Sequence, residues 1–326
     1  MMFRHFALLI LLVLSITLPA CAAENAAETI SWKTSWNEAA KAAKESSKNI
    51  LLLFTNPERC PPCRMMEQQT WPDAGVAKFV NANFVPLMIH TGRSKERGLA
   101  NEFMMRGIPT TLVVDTDKNV VASKVGFSPP EEFLKFLRAA ASVEKLQKKV
   151  KTDADNVTHV FELASVYVKL GRKADAVGLL EKICKLDNDN SKEKKVHALY
   201  LLGTIALKNK QIEDAKKKFH EVMKLDPKDK TAYADDIALQ LAILPANEGN
   251  FASAASNLKK FMADFPKSKL RPEAFLYLGR CYTLAGDKDA GAKVFKKFIK
   301  EYPDSRHAEY AKRFLQDVKR TTGKSR

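Results

Sequence analysis

The chain has 326 residues, 45% hydrophobic and 28% charged, a balance that supports packed cores, leaves room for two domains and excludes a wholly disordered polypeptide. Its net charge of +16 is unevenly spread: residues 24–143 hold 15 Lys+Arg against 13 Asp+Glu, and residues 144–326 hold 38 against 25. A basic surface attracts nucleic acid, anionic lipid or acidic protein.

At the N-terminus Arg4 and His5 precede an apolar run, Phe6 to Leu18, closed by Pro19-Ala20-Cys21-Ala22-Ala23. The run is too short to span a bilayer and has the charged start and small-residue finish of a secretory signal, so residues 1–23 are expected to direct export. Leu18-Pro19-Ala20-Cys21 resembles the lipobox of bacterial lipoproteins, which makes Cys21 a lipidation candidate and membrane attachment one outcome. Ala20-Cys21-Ala22 serves equally as an A-x-A cleavage site, so soluble and lipid-anchored periplasmic forms both stand. Either removes nucleic acid from the expected partners and leaves acidic proteins or headgroups.

Trp36 to Ser47 has helical spacing, with Thr34 or Ser35 available as a cap, and Ile50 to Phe54 is a continuous apolar run expected as a central buried strand. A helix follows from the cysteines to about Gln69, with a second piece from Pro72 to Val80. Next come a strand at Phe84–Ile89, a helix from Ser94 to Met105, and a hairpin of Thr111–Asp115 with Val120–Val125. Glu131 to Ala141 closes the unit as a helix.

Two thiols two residues apart, Cys60-Pro61-Pro62-Cys63, stand between that strand and that helix, and Gly107-Ile108-Pro109-Thr110 follows about forty-five residues later. Together they resemble the thioredoxin fold over roughly residues 30 to 142. The resemblance implies thiol–disulfide exchange, with Cys60 as nucleophile at the helix N-cap and Cys63 as resolving thiol. It also implies a cis Pro109 that, with Ile108, presents backbone groups to substrate. The helix dipole favours a Cys60 thiolate, and Arg59 and Arg64 are expected to add positive charge. Pro61 and Pro62 have no N–H, so the backbone donors to the Cys60 sulfur are expected from Cys63 and Arg64. Arg59 stands where thioredoxin has Trp, Pro-Pro replaces Gly-Pro, and no acid sits on the strand behind the motif; Glu58 is expected to face solvent.

From residue 144 strand signals vanish and a helix-pair pattern recurs, with Ala176, Ala215, Ala254 and Gly291 in equivalent places 39, 39 and 37 residues apart. Leu202-Gly203 and Leu278-Gly279 repeat within it. The pattern resembles the tetratricopeptide repeat, with four units and a capping helix over His307–Val318. Pro245 is expected to end or kink the first helix of the third unit. The fold class is therefore an α/β thioredoxin-like domain, residues 24–143, followed by an all-α tetratricopeptide-repeat solenoid, residues 144–326.

The function implied is an exported thiol–disulfide oxidoreductase, reductase- or isomerase-like, whose repeats recruit disulfide-containing clients or another protein and which exchanges electrons with a donor or acceptor protein. The alternative is a non-enzymatic scaffold or chaperone in which the first domain is structural. The dithiol requires no cofactor. A zinc site would need two further ligands at motif spacing, and none is present, so no metal site is assigned. Met65, Met66, Met104 and Met105 flank the expected surface and would suit Cu(I), although methionines at helical spacing are more often core. Cys184 and Cys281 fall in the first and fourth repeats and are expected as unpaired packing residues, and His90 as an ordinary polar strand end.

Overall fold

The computed structural model describes residues 29–92, 97–305 and 307–322. The expected signal with Cys21, and residues 94–96 of the expected fourth helix, lie outside them. Two compact units divide after Ala140.

The first unit is built on β1 (Asn49–Thr55), β2 (Phe84–His90), β3 (Thr110–Val114) and β4 (Val120–Val125), ordered β2-β1-β3-β4. β1 runs parallel to β2 and antiparallel to β3, and β3 and β4 form an antiparallel hairpin. β1 is central, which explains its unbroken apolar sequence: Ile50 to Thr55 are all buried. Ile50, Leu52 and Phe54 share one face with Ala39 and Ala43 of α1 (Trp36–Ser46) and with Leu87, Leu112 and Val114. Burying each large aliphatic or aromatic side chain there stabilises the unit by about 1.5–3 kcal/mol. Ser35 holds the N-cap position of α1 with extended backbone, yet its side chain makes no capping bond. The outer edge of β2 is covered, because Lys33 donates its N–H to Pro86 and accepts from Met88.

The remaining helices are α2 (Pro61–Met65), continued by one wide π turn over Met66–Thr70, then α3 (Ala74–Asn83), α4 (Arg97–Glu102) and α5 (Pro130–Thr152). α3 starts later than Pro72 because the Asp73 carboxylate caps it, accepting from the Val76 N–H at 2.9 Å. α5 runs eleven residues past the expected end at Ala141. Val143 and Leu146 continue the buried spacing of Phe133, Leu137 and Ala140, and no Gly or Pro interrupts it before Asp153.

The second unit is helical: α6 (Val157–Lys169) with α7 (Lys173–Leu186), α8 (Lys194–Lys208) with α9 (Ile212–Leu225), α10 (Ala234–Asn247) with α11 (Phe251–Asp264), α12 (Arg271–Leu284) with α13 (Lys288–Glu301), and finally α14 (Ala308–Thr322). Ala176, Ala215, Ala254 and Gly291 are all buried. The turn inside each pair uses a left-handed residue, Gly171, Lys210, Gly249 or Gly286. Pro245 lies within the last turn of α10, which ends two residues later rather than at the proline. Between pairs, buried Asp187 accepts N–H groups from Lys192, Lys194 and Lys195 at 2.7–3.0 Å and so caps α8 from the end of α7.

Candidate functional site

The site forms where β1 hands over to α2. Cys60 is the N-cap of α2, and its Sγ, disulfide-bonded to Cys63, accepts the Cys63 N–H at 3.2 Å. The Arg64 N–H goes elsewhere, to the Cys60 carbonyl at 3.2 Å, where it closes the first helical turn. One backbone donor therefore serves the sulfur instead of the two expected. Cys60 is 7% exposed and Cys63 fully buried, so the outer thiol is more enclosed than an exposed nucleophile would be. Pro61 and Pro62 face solvent.

The Ile108–Pro109 peptide is cis, and the Ile108 carbonyl oxygen lies 3.5 Å from Cys60 Sγ. Thr110 Oγ1 donates to the Gly107 carbonyl at 2.6 Å, and the Gly126 N–H donates to the Pro109 carbonyl at 2.8 Å. These bonds fix the loop against β4 and bring Ile108 and Pro109 beside the thiol pair, although 48 residues separate Ile108 from Cys60 in sequence.

Arg59 and Arg64 flank the two cysteines. Arg64 Nη1 donates to the Pro57 carbonyl at 2.9 Å and to that of Glu58 at 3.5 Å, so its guanidinium braces the turn leading into Cys60. Arg59 is exposed, and its N–H donates to the Asn56 carbonyl.

Beside this turn lies a polar cluster that the spacing of the sequence does not disclose. Glu58 Oε2 meets His90 Nε2 at 2.6 Å, and the Gly92 N–H donates to His90 Nδ1 at 3.2 Å. Glu58 is solvent-accessible as expected, but it is paired, and His90 is more than a polar strand end. Glu67, one helical turn beyond Cys63, has a carboxyl pushed above the usual range by partial burial and then by the charge of Glu58, with His90 acting in the opposite direction. The only sequence signal for this group is the nearness of Glu58 and Glu67 to the cysteines.

The four methionines do not converge. Met66 is buried and its Sδ accepts the Ser128 N–H at 3.3 Å, Met105 packs on the core of the sheet, and Met65 and Met104 are exposed. Among the described residues no group of three or more His, Cys, Asp or Glu could hold a metal ion. Cys184 and Cys281 are free thiols, and burial pushes both above their ordinary titration range.

In the second unit α6, α8 and Tyr233, the residue before α10, carry an aromatic ladder. Phe161 meets His197, His197 Nδ1 meets the Tyr233 hydroxyl at 2.6 Å, and Tyr233 stacks on Tyr200 with centroids 3.9 Å apart. The Tyr200 hydroxyl donates to Asp236, which Gln240 also reaches. Burial and the Asp236 bond push the Tyr200 hydroxyl upward, and burial followed by the Lys194 charge holds His197 below its usual value. On α9, α10 and α11 a groove of about 350 Å³ is lined by Met223, Ile237, Leu241, Phe261 and Phe265.

A parallel–antiparallel sheet with a disulfide at the start of a helix and a cis proline beside it defines the thioredoxin class, and stacked helix pairs with small crossing residues define a repeat solenoid. The chain is a thioredoxin-like domain followed by tetratricopeptide repeats. The family model for the thioredoxin-like domain matches residues 36–141, and tetratricopeptide-repeat models match residues 160–190, 197–229 and 273–305. The α10/α11 pair, which contains Pro245, lies between matched spans. No curated relative matches the chain.

Among solved structures, one described as DsbH oxidoreductase is 19% identical, covers 36% of this chain and 88% of its own, and has a TM-score of 0.34. A thioredoxin from Thermus thermophilus is 27% identical over 34% of this chain and 85% of its own, with a TM-score of 0.31. A MamA crystal structure is 22% identical over 55% of this chain and 90% of its own, with a TM-score of 0.41.

Proposed function

We propose that this protein is an exported thiol–disulfide oxidoreductase working in the reducing or isomerising direction, with the repeats recruiting the protein on which it acts. The observation that carries the reading is the placement of Cys60 Sγ: bonded to Cys63, held at a helix N-cap by the Cys63 N–H, and 3.5 Å from the Ile108 carbonyl. In the reduced protein the Cys60 thiolate attacks a client disulfide, forms a mixed disulfide and expels one client thiolate. Cys63 then attacks Cys60 Sγ, releases the second client thiolate and restores the Cys60–Cys63 bond, so two electrons pass from the dithiol to the client. Ile108 and Pro109 offer backbone groups to the client chain, and a donor protein returns the two electrons. The helix N-terminus supports Cys60 as the attacking sulfur, since it favours the thiolate form.

Export rests on residues 1–23, and the site of action is the bacterial periplasm, with the chain either soluble or held to the membrane through an acylated Cys21. Intact mass of the mature protein separates the two, and a full-length cytosolic product sinks both. For the chemistry, the full-length protein is equilibrated with glutathione buffers and alkylated, and Cys63→Ser is incubated with a disulfide-bonded test protein. The expected results are reversible opening of the pair, first labelling at Cys60, and a mixed disulfide through Cys60. A pair that never opens, together with no trapped adduct, would leave the first domain as a structural support for the repeats.

A further inference from the structure

We propose that Thr70 and Met66 are positioning residues that hold the Ile108–Pro109 edge beside the thiol pair; this rests on the reading of Cys60 and Cys63 as the exchanging dithiol. The sheet fixes the roots of the site. Phe54 of β1 lies opposite Thr110 of β3, so the turn that delivers Cys60 and the loop that carries Pro109 leave the sheet at the same level. Beyond it the two segments meet where Cys60 Sγ lies 3.5 Å from the Ile108 carbonyl oxygen.

A longer way round closes the same gap. The helix capped by Cys60 passes into the wide turn Met66–Thr70, which the Trp71 N–H closes on the Met66 carbonyl at 3.0 Å. Both ends of that turn reach Ser128: Met66 Sδ accepts its N–H at 3.3 Å, and Thr70 Oγ1 donates to its carbonyl at 2.6 Å. Two residues before Ser128, the Gly126 N–H donates to the Pro109 carbonyl at 2.8 Å, and Val125 pairs with Thr110. Gly126 has φ of 87°, a left-handed backbone that turns the chain out of β4 toward Ser128. Residues 125–128 therefore tie the cysteine helix to the Ile108–Pro109 loop.

Met66, Thr70 and Ser128 are each 2% exposed or less, so removing one partner costs a buried backbone group its bond where water does not replace it. An edge that offers backbone groups to a client serves exchange only at a fixed distance from the attacking sulfur, because small misplacements cost rate steeply. The reactivity of the sulfur itself has a separate origin, the helix N-terminus and the Cys63 N–H. The bracket should govern exchange with a protein chain and leave the intrinsic reactivity of Cys60 alone.

The test mixes the full-length protein, reduced and freed of reductant, with insulin as the disulfide-bonded probe. Cys60 attacks an insulin disulfide and Cys63 resolves the adduct, so the dithiol is oxidised as one insulin disulfide becomes two thiols. Thr70→Val, which keeps the shape and loses the donor, should slow this step about two- to tenfold, the worth of one net hydrogen bond. Met66→Leu should slow it by less, because a thioether is a weak acceptor, and Thr70→Ser, which keeps the hydroxyl, should hold most of the wild-type rate. In all three, iodoacetamide labelling of reduced Cys60 should stay within about twofold of wild type. Val114→Ala, at the end of β3 away from Thr110, is the control for lost stability: it opens a cavity in the sheet core without touching the bracket and should leave the insulin rate unchanged. Circular dichroism first establishes that each variant is folded, and should Thr70→Val fail there, Met66→Leu carries the test with the same two readouts. Equal slowing by Val114→Ala, parallel slowing of labelling and insulin reduction, or a Thr70→Ser rate as low as that of Thr70→Val each overturns the proposal. If reduced wild type leaves insulin intact, the exchanging-dithiol reading fails and the proposal falls with it. If wild type reduces insulin and the Thr70 and Met66 variants match it, only the positioning role is lost.

Discussion

The ring of Phe219 abuts Gly203: a Cβ at position 203 would meet its Cε1 2.6 Å away, and a Cβ at position 279 would likewise meet Cζ of Phe295 at 2.7 Å. These pairs sit where the two helices of a repeat cross, and both phenylalanines are fully buried, so neither ring has space to retreat. The glycines are what let α8 approach α9, and α12 approach α13.

Gly203→Ala and Gly279→Ala should each destabilise the second unit by about 1–3 kcal/mol through overpacking, despite the better helix propensity of alanine. Urea unfolding followed by far-UV circular dichroism reads the midpoint. Gly178→Ala on α7 is the control, because nothing lies within 4 Å of its added Cβ, and there the propensity gain should appear.

The recurrence of Leu-Gly in the first helices, and of small residues in the second, makes the repeats legible, since each crossing imposes a local requirement at a fixed period. The thiol site is legible for the same reason: Cys60 and Cys63 are local to one turn, and Gly107 to Thr110 is a compact motif. The Glu58–His90 pair is not, because 32 residues separate the partners and only the parallel register of β1 with β2 joins them. The Asp187 cap is hidden likewise, since its carboxylate reaches forward from the end of the preceding helix. The diversion of the Arg64 side chain and N–H depends on how the turn folds back, which residue type alone does not determine. α5 outruns its expected end because apolar spacing continues through the change in composition near residue 143.

Lys210 stands where the other three repeats have Gly171, Gly249 and Gly286, with φ of 62°. A left-handed backbone costs a non-glycine residue about 1–2 kcal/mol, and glycine returns part of that gain as unfolded-chain entropy. Lys210→Gly should therefore stabilise the protein by about 0.5–1 kcal/mol, seen as a higher urea midpoint with an unchanged slope. An unchanged or lowered midpoint would mean that the lysine side chain offsets its backbone strain.

Glu67 supplies a pH dependence. Its folded-state carboxyl is raised, first by burial and then by Glu58, so folding favours the protonated form. The associated stability is present below the usual carboxylate range and is lost as pH rises through the raised folded value. Glu67→Gln, which resembles the protonated acid, should be more stable than wild type at pH 7, with the difference closing toward pH 4. The group is largely solvent-accessible, so the effect is small and should shrink in high salt. Paired thermal melts at the two pH values check it, and a difference that grows on acidification contradicts the assigned cause.

The two units should divide the labour, with the first carrying exchange and the second recognition. The dividing cut follows from α5: ending the first unit at residue 143 would remove the last nine residues of that helix, so the isolated unit should extend to Thr152. Repeat helices present an extended surface suited to a peptide or a partner helix, and on the proposed function a client held there would meet the thiol pair of the same chain in an intramolecular step. Reduction of a generic protein disulfide should accordingly differ by less than about twofold between residues 24–152 and the full chain, because that substrate uses only the thiol site. Trapping of native clients by Cys63→Ser should be at least about tenfold stronger in the full chain, the gain expected when a second binding event becomes intramolecular. Circular dichroism of the short form establishes first that it is folded. Equal trapping by both forms would remove recruitment from the repeats and leave them to self-association or to attachment at the cell envelope, which sedimentation of the full chain with and without anionic vesicles would then distinguish.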